Sequence, residues 1–287
     1  MAEQFPPPGS CDCHVHVIGP KATFPLASER TYTPMDALRA DLEAVLARLG
    51  LDRVVLVQPS IYGTDNACMM DAIDALWHRA RGVAVLAPET PGSVLDDLHR
   101  RGVRGLRVNI ASSASRGIDV IRRDFEAAAA LCARNGWHLQ TFAATETLVA
   151  LASTIETLSV PLVVDHFGLV KPGEEDGAPA QMLLRLLGRG KIWVKLSGTY
   201  RIADDPADPR IVPLARRFAD ANLEQIVWGS DWPHTPPHTH KRSVDGSEMP
   251  FQDIDTRALL DFTRTCFDAA TLQRLLVDNP AKLYDFA

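Results

Sequence analysis

Positive charge is not in excess in this sequence: 30 Lys and Arg stand against 36 Asp and Glu, a formal charge of −6. Nucleic acid and anionic membrane surfaces both demand clustered cations, so neither is an expected partner. There is also no apolar run near the roughly 18 residues that a membrane span requires. The start, MAEQFPPPGS, lacks the basic and apolar regions of a secretory leader, so secretion is not expected. Cysteine is sparse: Cys11, Cys13, Cys68, Cys132 and Cys266 are odd in number and thinly spread. That usage points to a reducing cytoplasm, since a chain of this length needs no disulfide framework. A small molecule is the partner these exclusions leave.

No linker, repeat or low-complexity block interrupts residues 1–287, so one domain is expected. Short β-rich runs alternate with amphipathic stretches throughout, the pattern of parallel strands joined by crossover helices. The strands are read at 10–17, 53–60, 83–89, 103–110, 138–143, 161–168, 192–198 and 226–234. Helical spacing is plain in MDALRADLEAVLARLG (35–50), closed by a Gly suited to a C′ position, and in DFEAAAALCARNGW (124–137). The tail 253–287 reads as helical, with Asn279-Pro280 as an internal break. Eight such units predict a (β/α)8 TIM barrel. An open doubly wound sheet is the alternative, but IGPKATFP (18–25) is no phosphate-binding glycine loop.

In a barrel the chemistry gathers where strands end and loops begin. Here nearly every polar strand residue lies at that end: His14 and His16, Ser60, Arg107 and Asn109, Asp165 and His166, Lys195 and Ser197, Asp231 and His234. Strand alternation predicts that Asp12, His14 and His16 share the inner face while Cys11 and Cys13 face the helices as inert packing groups. The same rule points Asp165 away from His166, in a structural role. His14, His16, His166 and Asp231 are therefore the candidate catalytic set. Several imidazoles aimed at one carbonyl oxygen stabilise the charge that develops under attack, and a single carboxylate suffices to activate water. His234 is placed to orient Asp231 or carry its proton. His238 and His240 read as solvated loop residues.

HxH on the first strand, VDHFG on the sixth, GSDWPH on the eighth and the terminal NPAKLY together resemble the amidohydrolase superfamily. Within it they are most similar to the lactonase branch that contains 2-pyrone-4,6-dicarboxylate hydrolase. The resemblance implies a hydrolase that opens a small carboxylated lactone, with Asp231 as general base. It places His14, His16 and His166 at positions that bind a divalent metal in most of the superfamily. In the pyrone dicarboxylate lactonases those positions polarise the substrate carbonyl without metal, so no cofactor is the preferred reading. One Zn²⁺ on His14, His16, His166 or Asp231 is the alternative, because three protein ligands and a water make a catalytic site. The fifth strand offers His138, Gln140 and Phe142 instead of the bridging carboxylate or lysine of a binuclear centre, and Lys195 on the seventh is a poor substitute.

Arginine grips carboxylates in a planar fork, so Arg107, Arg201 and Arg116 are the candidate substrate-binding cations, with Ser60 and His234 beside them. Two departures from the pyrone dicarboxylate pattern stand out. ASSAS (111–115) replaces a second arginine, and Phe142 stands where that pattern has tyrosine. Both favour a substrate with fewer anionic groups, such as a sugar-acid lactone. Lactone isomerisation, metal-dependent decarboxylation of an unsaturated or aromatic acid, and ligand binding without turnover are the competing functions.

Overall fold

The computed structural model describes residues 4–110, 117–236 and 247–286. Eight parallel strands form one sheet: β1 (Cys11–Val15), β2 (Arg53–Val57), β3 (Ala80–Ala84), β4 (Val103–Asn109), β5 (His138–Phe142), β6 (Leu162–Val164), β7 (Ile192–Ser197) and β8 (Ile226–Gly229). They pair in sequence order. The sheet closes on itself where Val15 bridges Trp232 in parallel. This is the expected (β/α)8 barrel. A short sheet of Thr33–Pro34 with Glu248–Met249 sits outside it.

The helices bury their apolar stripes against the outer face of the strands. Leu42, Leu46 and Leu49 of α1 (Arg39–Leu49) pack in one large core with Val54 and Leu56 of β2. Gly50 ends that helix in the left-handed region, φ 73°, as its C′ position predicts. Among the described residues no helix is long and apolar enough to cross a membrane.

A second apolar cluster fills the barrel's interior. It takes alternate residues of six strands, Cys11, Cys13, Val55, Val57, Val83, Val163, Trp193 and Val227, and is closed below by Tyr284 and Phe286. The end of the tail therefore belongs to the barrel's core. Helix continues through Asn279-Pro280 by way of a π turn, Arg274–Asp278, instead of breaking there. Residues beyond Tyr284 then leave the helix and plug the barrel floor, where Arg81 donates to the carbonyls of Tyr284 and Asp285. The strand β3 starts at Ala80 and not at 83, because Ala80, Arg81 and Gly82 pair with Val54, Val55 and Leu56 of β2.

Candidate active site

Four strands, β1, β2, β6 and β8, stop before their polar ends, so His16, Ser60, His166 and Asp231 stand just past the sheet, at the mouth. The closing seam carries two of them. Asp231 N–H donates to the His14 carbonyl and His16 N–H to the Trp232 carbonyl, both at 2.8 Å. A Cβ on Gly229 would lie 2.6 Å from His14 Cβ, so only glycine lets β8 approach β1 this closely. Asp12 reinforces the seam by accepting from the N–H of His14 (3.1 Å) and of Ser230 (2.9 Å). Burial raises the Asp12 carboxyl to about 6.

Simple alternation fails inside β1. Its pairing with β2 shifts between Asp12 and Val15, three residues of one strand running beside two of the other. Such a bulge re-aims side chains. Cys11 and Cys13 consequently face the barrel interior, while Asp12, paired with Val54, lies on the helix-facing side. His14 still points inward, its ring 5.1 Å from that of His16 and 4.8 Å from that of His166. The cysteines are packing groups as expected, but on the opposite face.

Asp231 (φ 64°) and His166 (φ 52°) both hold left-handed backbone. For such residues this conformation costs of order 1–3 kcal/mol and persists only where the surroundings impose it. The two oxygens of Asp231 differ. Oδ2 accepts from Arg201 Nε and from Tyr200 Oη (2.7 Å). Oδ1 has no hydrogen-bond partner and lies 3.7 Å from His14 Nε2 and 3.6 Å from His16 Nε2. Burial works to raise the Asp231 carboxyl, but the Arg201 guanidinium outweighs it and holds it well below the usual range. Burial, reinforced by Arg201, brings His166 down to about 4 despite the opposing carboxylate of Asp231, so the ring is neutral.

Beneath this layer lies a buried charged network. Asp165 points inward, not away: it continues the inner-face register of Val163, and the left-handed run His166–Leu169 then turns His166 in as well. Asp165 Oδ2 accepts from Arg107 and Gln140 Nε2, each at 3.2 Å. Burial opposes its ionisation, yet the enclosed cations Lys195 and Arg107 keep it far below the ordinary carboxylate range. Lys195 is fully enclosed, donating to the Cys13 carbonyl at 2.8 Å and contacting His14 Nδ1 at 3.4 Å. Burial lowers its ammonium to about 8.

The cavity above is lined by His16, Ser60, Arg107, His166, Arg201 and Asp231, which the strand ends predicted. Arg107 Nε is buried there without a partner. A larger adjoining cavity, about 450 Å³ and mostly apolar, shares Ser60, Arg107 and Asn109 with it. His234 is not in the cavity: it lies beyond the Tyr200 ring, with Nε2 2.9 Å from Thr256 Oγ1. Arg116, His238 and His240 lie outside the described residues. Tyr32 and Tyr200 were missed. Tyr200 precedes Arg201 in SGTYR and was legible there, whereas Tyr32 reaches the cavity from a loop without any motif.

By position, His14, His16 and Asp231 could hold a cation, since their ligand atoms lie within 4.8 Å of one another, and so could His14, Asp165 and His166. Hydrogen bonds decide how many lone pairs are on offer. The Val57 carbonyl, 2.7 Å away, can only accept, so His16 Nδ1 carries the proton and Nε2 is a free lone pair. Lys195 can only donate, so on His14 the lone pair is Nδ1 and the proton sits on Nε2. Asp165 Oδ1 lies 3.3 Å from the same nitrogen but makes no hydrogen bond. The first trio then offers one imidazole lone pair, that of His16, beside the unpartnered Oδ1 of Asp231, instead of the two imidazoles its spacing suggests.

The chain is 35% identical over 291 residues to a 2-pyrone-4,6-dicarboxylate hydrolase of Comamonas testosteroni, covering 97% of this chain and 90% of that one. It is 33% identical over 282 residues to a 4-sulfomuconolactone hydrolase of Rhizobium radiobacter, with 97% and 90% covered. Its fold superposes on a probable 2-pyrone-4,6-dicarboxylic acid hydrolase from Acinetobacter baumannii, crystallised with citric acid, at a TM-score of 0.78 and 26% identity over 97% of this chain and all of that one. With the amidohydrolase family profile matching residues 11–286 as well, the chain belongs to the amidohydrolase family.

Proposed function

We propose that this protein hydrolyses a small carboxylated lactone with a water activated by Asp231, without a bound metal. The carrying observation is the asymmetry of that carboxylate: Oδ2 is anchored by Arg201 and Tyr200, and Oδ1 is unpartnered and aimed between His14 and His16. An anchored carboxylate with one free oxygen is a positioned base. The names of the relatives, both lactone hydrolases, support the same reaction.

Asp231 Oδ1 takes a proton from water as the hydroxyl oxygen bonds to the lactone carbonyl carbon. The charge that develops on the carbonyl oxygen is met by His14 Nε2–H, a preorganised donor in a dry site, worth roughly 3 kcal/mol to the transition state. Collapse breaks the ring C–O bond, and Asp231 returns its proton to the departing oxygen. Two cations, Arg107 and Arg201, and one carboxylate, Asp231, line the cavity. That surplus favours an anionic substrate, with Arg107 and Arg201 nearest its carboxylate. The adjoining apolar cavity suits an uncharged remainder. The five cysteines, all free and buried, fit a reducing cytoplasm.

The test is a panel of carboxylated lactones followed by proton release, with Asp231→Asn alongside. Wild type should acidify with at least one lactone, and the variant should lose about 10²–10⁴-fold of that rate, the usual range for a general base. Full activity in a folded Asp231→Asn protein overturns the assignment.

A further inference from the structure

We infer that Lys195 is a positioning residue that converts a metal-type histidine pair into an acceptor and a donor, which keeps the site free of metal. The inference deepens the lactonase reading and rests on it for the role of His14. Its geometry does not depend on the substrate.

His14 Nδ1 is contested. Asp165 Oδ1, at 3.3 Å, would take a proton from it and leave the Nε2 lone pair toward Asp231, the arrangement of a carboxylate–histidine–metal triad. Lys195 Nζ, at 3.4 Å, would give a proton to it and leave Nε2–H toward Asp231. Only the lysine contact has hydrogen-bond geometry, since Asp165 Oδ1 is left without a partner. The surroundings favour the same outcome. Arg107 and Gln140 both bond the other oxygen of Asp165 and draw its carboxylate away from the ring. The bond from Lys195 to the Cys13 carbonyl, next to His14 in the bulge, fixes the ammonium in place. On the far side of the ring, Nε2 faces Asp231 Oδ1 at 3.7 Å, where a proton is attractive and a lone pair repulsive.

His16 is set the opposite way by the Val57 carbonyl. The two histidines of one HxH motif thus carry opposite tautomers, one presenting N–H and the other a lone pair. A divalent ion must displace the His14 proton before it can bind both, whereas an ester carbonyl oxygen needs that proton where it is.

Long-range proton–nitrogen NMR correlation of ¹⁵N-labelled protein reads both tautomers directly, with His14→Gln and His16→Gln used for assignment. Wild type should show His14 protonated at Nε2 and His16 at Nδ1. In Lys195→Met, His14 should move to the Nδ1–H form on Asp165, and Zn²⁺ affinity, read by competition with a chromophoric chelator, should rise about 10–100-fold, the usual span for partners of metal-bound histidines. His14 protonated at Nδ1 in wild type, or a folded Lys195→Met with unchanged tautomer and Zn²⁺ affinity, overturns the inference. Should Lys195→Met not fold, the wild-type spectrum decides alone. Neither readout uses lactone turnover, so failure of the lactonase reading shows separately.

Discussion

Asp231 donates its backbone N–H to the carbonyl of His14 at 2.8 Å, so the proposed base and the first histidine are joined through the main chain as well as through their side chains, 3.7 Å apart. The intimacy depends on Gly229, whose missing side chain leaves room for His14. Gly229→Ala would force backbone atoms apart, because its Cβ would also lie 2.8 Å from His14 N. The expected outcome is a loss of about 1–3 kcal/mol of stability, the usual cost of overpacking. A fall in kcat should exceed any change in KM, since the groups displaced are the reacting ones. Urea unfolding and steady-state kinetics on one preparation measure both.

Arg201 holds Asp231 ionised, so Arg201→Gln should let the Asp231 carboxyl climb. The sign follows from charge: without the guanidinium, burial favours the protonated, inactive form. The acid limb of kcat/KM should therefore move to higher pH, and KM for a carboxylated lactone should rise. Breaking a buried ion pair from one side costs about 3–5 kcal/mol, so the melting temperature should fall as well.

His138 offers a prediction on stability alone. Its ring is buried against Tyr284 with neither nitrogen partnered, and burial, aided by Lys195, lowers it to about 3. Unfolded, it titrates near 6.5. Between those two values the unfolded chain binds a proton that the folded chain does not, so stability rises with pH across that window. His138→Leu should remove this component. Urea midpoints for both proteins at acid and neutral pH should show a smaller gain in the variant.

Metal removal should leave catalysis intact. Dialysis against a strong chelator is expected to preserve kcat, and the purified protein should contain metal well below one ion per chain by elemental analysis. The reason is the proton that Lys195 leaves on His14 Nε2.

The barrel was legible because its polar residues all sit at one end of an apolar repeat, which also exposed His14, His16, His166 and Asp231. Two local backbone events were not. The bulge in CDCHV reverses which face the cysteines take, yet no residue in it carries a bulge signature such as glycine. Likewise the left-handed turn from His166 to Leu169 brings Asp165 and His166 to the same side, although only Gly168 in that run favours such backbone. Lys195 was visible at a strand end, but not which atom of His14 it reaches. Tyr32 enters from a loop whose path is set by long-range pairing of Thr33–Pro34 with Glu248–Met249.

The seam between β1 and β8 also sets when the enzyme comes into being. Asp12 and Ser230, which it joins, are 218 residues apart. Contacts of such separation form late, after the entropy of closing the intervening chain has been met. A growing chain that has not yet made its eighth strand owns the histidine pair but no base, and Asp12 has no second strand to hold. On the proposed mechanism, ring closure is what completes the site, so a partly built barrel should not act on any lactone it meets.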